Sequence, residues 1–331
     1  MPITLAQAGV NTINDIDFAV IDDFRRNSWL MNNITFDDTV VPGTGGATLG
    51  YTYVRKLTGA SAAPRAINTE YTPGQATRAT YSVTLKPIGA SFELDRVIAR
   101  LGAAGTNEVT FQMMEAMVAV RERFVREFLY GDTATNANTF DGLSKALTGA
   151  STELTTSTNW VTIATQANAL LELDKIDIWL SSIVPTKVGS MTPDQPGGVP
   201  AGTRAILGNT KAITQLKRLA KWANMLTMTR NEFDQDVESY RGWALIDVGD
   251  RADGSSPIIP ITSNVSEVFA VSLGLDAAHA ASPGGQQLVN TYFPDWSTSG
   301  AVKLGEIELG PAAFVLKSSK ACGVYRNITV Q

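Results

Sequence analysis

At 331 residues the chain has room for one large domain or two smaller ones. A hydrophobic share of 44% describes a folded chain, and a formal net charge of −5 excludes a molecule that grips polyanions by bulk charge. The single cysteine, Cys322, excludes an internal disulfide and a cysteine-rich metal site.

The chain opens Met1-Pro-Ile-Thr-Leu-Ala, with no basic stretch ahead of an apolar one, and no apolar run approaches ~18 residues. The expectation is a soluble product with no membrane partner. Charge is unevenly spread. Residues 1–50 hold six aspartates, among them Asp22 and Asp23, against two arginines. Residues 51–100 hold seven basic side chains against three acidic ones. An acidic segment followed by a basic one suits attraction between copies, although two solvated surfaces account for the same imbalance. The first fifty residues end in the glycine-dense Pro42–Gly50, read as a hinge. Its glycines fail the dinucleotide fingerprint, and it lacks the Lys-Ser/Thr of a phosphate loop.

Two extended arms follow. Gly50–Leu57 is one. Arg78–Lys86 is the return arm, in which Ala79, Tyr81, Val83 and Leu85 alternate with Arg78, Thr80, Ser82, Thr84 and Lys86. Arms of ~10–15 residues at ~3.3 Å each project roughly 35–50 Å. A lone two-stranded ribbon of that length is marginal, so its apolar positions call for another surface, the natural supplier being a second copy of the chain. Candidate inter-subunit contacts are Arg55, Lys56, Arg65, Glu70, Arg78, Tyr81 and Lys86, with Asp22 and Asp23 on the acidic side.

Ile88–Asp95 reads as a strand. The clearest helix runs over 107–130: Val109, Met113, Met117, Val120, Phe124 and Phe128 recur every three or four residues, Thr106 is placed to cap it, and Gly131 to stop it. Glu122 and Arg126 are spaced to pair on its wet side. The methionines read as core. Residues 131–142 superficially resemble a calcium loop through Asp132, Asn136, Asn138 and Asp141. Ala134 and Ala137 break that pattern, so a turn packing Phe140 and Leu143 is preferred. Beyond Ser151, a helix is expected from a Thr158 cap through Leu171, a long loop over Pro185–Gly202, and a strand at Ala205–Leu207. A helix using Ile213, Leu216, Leu219 and Ala220 follows, with Lys211, Lys217, Arg218 and Lys221 outward. Strands are expected at Trp243–Val248 and Val268–Leu273, then at Ala301–Leu309, Ala312–Leu316 and Cys322–Val330.

Chemistry is sparse. His279 is the only histidine, read as a surface or partly buried residue near a loop; Cys322 reads as a small buried hydrophobe. Asp22/Asp23 and Asp37/Asp38 are sequence neighbours, which suits solvated turns more than an acid–base pair. The basic helix face at 211–221 could touch nucleic acid, but a solvated face is the preferred reading. No catalytic residues, cofactor or metal are assigned, and the chain is not read as an enzyme.

The order of elements resembles the tailed-bacteriophage major capsid proteins of the Hong Kong 97 type. The resemblance rests on Ala63–Tyr71 in the hairpin, Thr84–Arg96 entering the helix, Phe128–Asp132 with Phe140–Leu143 after it, and Tyr240–Asp250. It implies an α+β fold with an N-terminal arm (1–50), an extended hairpin loop (51–86), a peripheral domain with a spine helix at 107–130 (87–150 and 300–331), and an axial domain (151–299). It further implies hexamers and pentamers closing into an icosahedral head around double-stranded DNA bound without sequence specificity. The expected location is the virion, with assembly in the host cytoplasm. Portal and decoration proteins are implied partners. So is a separate scaffolding protein, or a scaffold removed by processing, because the chain starts at the arm. Lys56 is the hairpin-arm candidate for the lysine–asparagine crosslink of some members, without a matching asparagine in view. Two alternatives stay open. One is a nanocompartment shell around protein cargo. The other is a carbohydrate-binding or hydrolytic β-rich protein using Trp160, Trp179, Trp222, Trp243 and Trp296 as a platform.

Overall fold

The computed structural model describes residues 29–40, 49–101, 108–183, 203–230, 236–284 and 287–331. Asp22, Asp23, most of the expected arm, the glycine-rich stretch up to residue 48, the Thr106 cap and the whole 185–202 loop lie outside them.

The first half builds a long sheet on a long helix. After α1 (Trp29–Asn33) and β1 (Phe36–Val40), the hairpin strands β2 (Gly50–Thr58) and β3 (Thr77–Thr84) lead into β4 (Lys86–Asp95), α2 (Arg96–Leu101) and α3 (Glu108–Tyr130). The hairpin strands are nine and eight residues long, so the paired ribbon extends only ~26–30 Å, short of the 35–50 Å expected; residues 59–76 form the tip beyond it.

The α3 periodicity holds with one exception. Met113, Val120, Phe124 and Phe128 are buried, while Met117 is 40% exposed and Ala116 takes the inward position. The phenylalanines account for most of what this face does: Phe124 meets Phe36 of β1 at 5.7 Å and Phe140 at 6.1 Å between ring centres, and Phe128 stands edge-on to Phe314 at 4.5 Å. Each such buried ring contributes about 1.5–3 kcal/mol. The ion pair along the helix is Arg123–Glu127, at 2.6 Å, in place of the expected Glu122–Arg126 pair. Glu127 also accepts from Thr139 at 2.5 Å, tying the helix end to the following loop. That helix end needs glycine for closeness: a Cβ on Gly131 would sit 2.2 Å from the Phe140 carbonyl, and Gly142 donates to the Gly131 carbonyl at 2.7 Å. In the loop, Lys145 of α4 (Leu143–Leu147) reaches Asp132 at 2.5 Å and Asp141 at 2.8 Å, so an ammonium occupies the place a cation would need.

The second half interleaves short strands with two helices. These are β5 (Glu153–Leu154), β6 (Thr158–Asn159), α5 (Gln166–Ser182), β7 (Arg204–Gly208), α6 (Thr210–Trp222), β8 (Leu226–Arg230), β9 (Asp236–Tyr240), β10 (Trp243–Asp247) and β11 (Val265–Ser272). β12 (Ala278–Pro283), β13 (Val289–Tyr292), β14 (Val302–Leu316) and β15 (Gly323–Thr329) follow. The helix expected from Thr158 begins at Gln166 instead, capped by Thr165, because Thr158 and Asn159 pair with β15. The two tail strands expected at 301–309 and 312–316 are one strand of 15 residues, β14, which passes Gly310-Pro311 by a register shift. A proline is tolerated at such an irregularity because no ladder N–H is needed there.

β14 is the axis of one sheet: β4 lies along one side, β12 and β13 along the other, and β1 pairs parallel with β12. The second sheet runs β5-β15-β11-β7-β10-β9-β8. Its central strands are apolar on both faces. Leu207, Phe269, Val271 and Val324 face the core around α3, whereas Ile206, Val268, Ala270 and Tyr325 face a second core under α5 and α6. Two buried faces explain why these strands read as unbroken apolar runs and not as alternating ones. The sheets cut across the expected domain ranges: β12 and β13, from 151–299, join the β4–β14 sheet, and β15, from 300–331, sits between β5 and β11 in the other.

Candidate assembly surface

The hairpin has two unlike faces because strand side chains alternate. Tyr51, Tyr53 and Arg55 of β2, with Ala79, Tyr81 and Val83 of β3, turn inward; Thr52, Val54 and Lys56, with Arg78, Thr80, Ser82 and Thr84, turn outward. The inward face does not wait for a neighbour at its root. Tyr51 is buried and its hydroxyl donates to Asp37 Oδ2 at 2.8 Å. Tyr53 donates to the Leu316 carbonyl at 3.1 Å and stacks on Tyr81 with centres 5.7 Å apart. Arg55 donates to the carbonyls of Lys317 at 3.0 Å and Leu316 at 2.6 Å, its guanidinium 4.6 Å from the Tyr81 ring centre. Two of the candidate contact residues, Arg55 and Tyr81, therefore anchor the hairpin to its own chain.

The other candidates in the described residues face solvent or lie at the margin. Lys56 and Arg78 are exposed and directly opposite each other in the β2–β3 register, a like-charge pair that disfavours the ribbon by itself. Arg65 and Glu70 lie in the exposed tip, where Arg65 donates to the carbonyls of Ala66 at 3.2 Å and Thr69 at 3.0 Å and lies over Tyr71. Lys86 begins β4, partly covered. Apolar side chains ride outward with the charges: Val54 is 61% exposed, Leu57 56%, Ile67 89% and Tyr71 65%.

Beneath the root sits a group that the sequence reading misplaced. His279 is on β12 and fully buried, neither at the surface nor partly exposed, and neither ring nitrogen has a hydrogen-bond partner. The Tyr51 ring stands edge-on to it at 5.8 Å, and Asp37 Oδ2 lies 3.8 Å from Nε2. Burial lowers the His279 pKa to about 4, helped by Lys317 and opposed by Asp37, so the ring is neutral at pH 7. Burial pulls Asp37 upward, but the bonds from Thr39 and Tyr51 outweigh it and hold that carboxyl below its usual range. The run Ala277-Ala-His-Ala-Ala281 carries no local strand signal, since alanine is depleted in strands; its pairing with β14 makes it one.

Elsewhere, three of the four lysine and arginine side chains expected outward on α6 are engaged within the chain. Lys217 pairs with Glu238, Arg218 bonds the Trp160 carbonyl, and Lys211 bonds Gln331. Trp160, Trp179 and Trp243 are buried, which removes the aromatic platform a sugar-binding reading needs. Cys322 is buried as expected, and burial pushes its thiol up to about 12. Among the described residues there is no cluster of three metal-ligating side chains, and no helix is long and apolar enough to cross a membrane.

No family model matches the sequence, and no curated protein matches it. Solved structures do. The holo-SrpI encapsulin complex from Synechococcus elongatus PCC 7942 superposes with a TM-score of 0.60 at 11% identity, over 100% of this chain and 98% of that one. The capsid of native GTA particle gives 0.58 at 10% identity, over 97% of each chain. The capsid of Myoviridae phage XM1 gives 0.55 at 12% identity, over 95% of this chain and 96% of that one. Similarity spread over the whole length of these shell proteins establishes that this chain has the Hong Kong 97-type capsid fold.

Proposed function

We propose that the chain is the major capsid protein of a tailed-phage head, self-assembling into hexamers and pentamers that close around double-stranded DNA. The observation that carries the reading is the hairpin: its root is bolted to its own chain, while its outer face and tip expose Val54, Leu57, Ile67 and Tyr71 beside Lys56 and Arg78. A monomer gains nothing from that arrangement. A closed shell covers such edges with neighbours and adds many weak contacts into a stable whole. The expected arm, peripheral and axial divisions belong to this reading, as do the scaffolding, portal and decoration partners. The tip residues Arg65 and Glu70 and the outward Lys56 and Arg78 are its proposed inter-subunit contacts, with Lys86 at the margin.

The second reading is a nanocompartment shell around protein cargo, favoured by the encapsulin match over 100% of this chain and 98% of that one. Purified native particles separate the two. Nuclease-protected double-stranded DNA inside them supports the phage head; a protein cargo without protected DNA supports the compartment. Absence of any particle contradicts both.

A further inference from the structure

One groove on the surface gathers positive charge and unused donors. It runs between β2 and the turn that follows β14, lined by Tyr53–Gly59 on one side and Lys317–Lys320 on the other, with Asp276 at its edge. Its volume is about 680 Å³, the size of clefts that take small molecules. Arg55, Lys56, Lys317 and Lys320 bring four positive charges to it against the one carboxylate of Asp276. Arg55 is held on the neutral carbonyls of Leu316 and Lys317, so its charge is not cancelled. Lys317 is partly answered by Asp37 at 3.9 Å, while Lys56 and Lys320 have no acidic partner among the described residues. Lys56 instead faces a second cation, Arg78, across the β2–β3 pair.

Hydrogen-bond donors collect on the same wall as the charge. Among the described residues, the main-chain N–H groups of Ser318, Ser319 and Lys320 bond no acceptor, and neither serine hydroxyl donates to one. A carboxylate brings one charge and two oxygens to such a set. Linked phosphates bring several charges and many oxygens, each able to accept from an ammonium, a hydroxyl or an amide.

We propose that this groove binds a small polyphosphate anion, the di- or triphosphate of a nucleotide or its inorganic counterpart. Lys56 approaches it from the hairpin and Lys317 and Lys320 from the opposite wall, so the anion bridges hairpin and body. Arg55, fixed on its carbonyls, adds charge beside it, and Asp276 repels it from one edge. The site goes beyond the shell reading: it is complete within one chain and needs no assembly.

The test is calorimetric titration of inorganic triphosphate into the purified full-length protein at low ionic strength, beside Lys56→Gln, Lys320→Gln and the two together. Both lysines are exposed, so the subunit stays folded. Saturable binding is expected from the wild type, severalfold weaker in each single variant and at least about tenfold weaker in the double one. Asp276→Asn is expected to tighten it. Lys221→Gln, an exposed lysine of α6 outside the groove, is expected to change nothing. Absence of saturable binding overturns the proposal, as does a double variant that binds like the wild type. Equal weakening by Lys221→Gln overturns it too, since bulk charge then accounts for the binding. A duplex oligonucleotide titrated in the same series separates the two sources of phosphate. Duplex binding that the groove variants weaken, with no binding of triphosphate, overturns the small-ligand site in favour of backbone phosphates.

Discussion

The Tyr51 hydroxyl donates to Asp37 at 2.8 Å, fastening the root of the hairpin to β1 across fourteen residues of sequence. A hydrogen bond to a charged, partly buried acceptor is worth about 1.5–3 kcal/mol. Tyr51→Phe keeps the ring against His279 and removes only that bond. Chemical denaturation of the unassembled subunit should register a loss of about that size, with the denaturant dependence unchanged.

The histidine beneath it makes stability pH-dependent in a defined window. Unfolded, the imidazole gains its proton near pH 6.5; folded, burial delays this to about pH 4. The folded state's advantage is therefore complete above pH 6.5 and drains away as pH falls toward 4, by at most about 3 kcal/mol. Asp37 does not share this window, because the bonds from Thr39 and Tyr51 hold its carboxyl below the usual range. Replacing His279 with Phe should flatten the unfolding free energy between pH 6.5 and 4, read by denaturation at stepped pH.

Arg326 ties α4 to the second sheet. Its guanidinium reaches Glu153 and Glu267 at 2.6 Å each and the Ser144 carbonyl at 2.8 Å. Arg326→Ala leaves two carboxylates, each largely covered, without their cation, and should cost roughly 3 kcal/mol. Arg326→Lys recovers only part of that, because an ammonium cannot serve acceptors on several sides at once. Thermal or chemical unfolding of both variants checks the order.

Adjacent residues of β2 should separate folding from assembly. Arg55→Ala strips donors from two carbonyls and a cation from the Tyr81 ring, so the subunit itself loses about 1–3 kcal/mol. Lys56→Ala removes an exposed side chain and should leave subunit stability within about 0.5 kcal/mol while weakening association. Equal effects of the two on subunit unfolding would contradict the division of the hairpin into an anchored and a free face.

Much of the fold was legible because local pattern and tertiary role agreed. The α3 stripe, the alternation of Ala79, Tyr81 and Val83, and the Ile213–Ala220 face of α6 each have one buried side, and periodicity reports that directly. What failed was decided from far away. Thr158 reads as a helix cap until β15, about 170 residues later, claims it as a strand. Gly310-Pro311 reads as a break until β4 and β13 hold both flanks of one strand. The outward charges on the hairpin were visible, but the carbonyls of Leu316 and Lys317 that capture Arg55 lie some 260 positions on, beyond any local signal. The basic turn at Lys317–Lys320 was readable as charge and unreadable as the wall of a groove.

The most direct test of the shell account is electron microscopy of the purified full-length protein beside a variant in which residues 59–76 are replaced by an Asn-Gly turn. The strands end opposite each other at Thr58 and Thr77, so a two-residue turn closes them without disturbing the root. The account predicts closed shells or capsomer rings from the parent chain, and a folded subunit that forms neither from the shortened one. A parent chain that stays monomeric, or a shortened chain that builds normal shells, would contradict it.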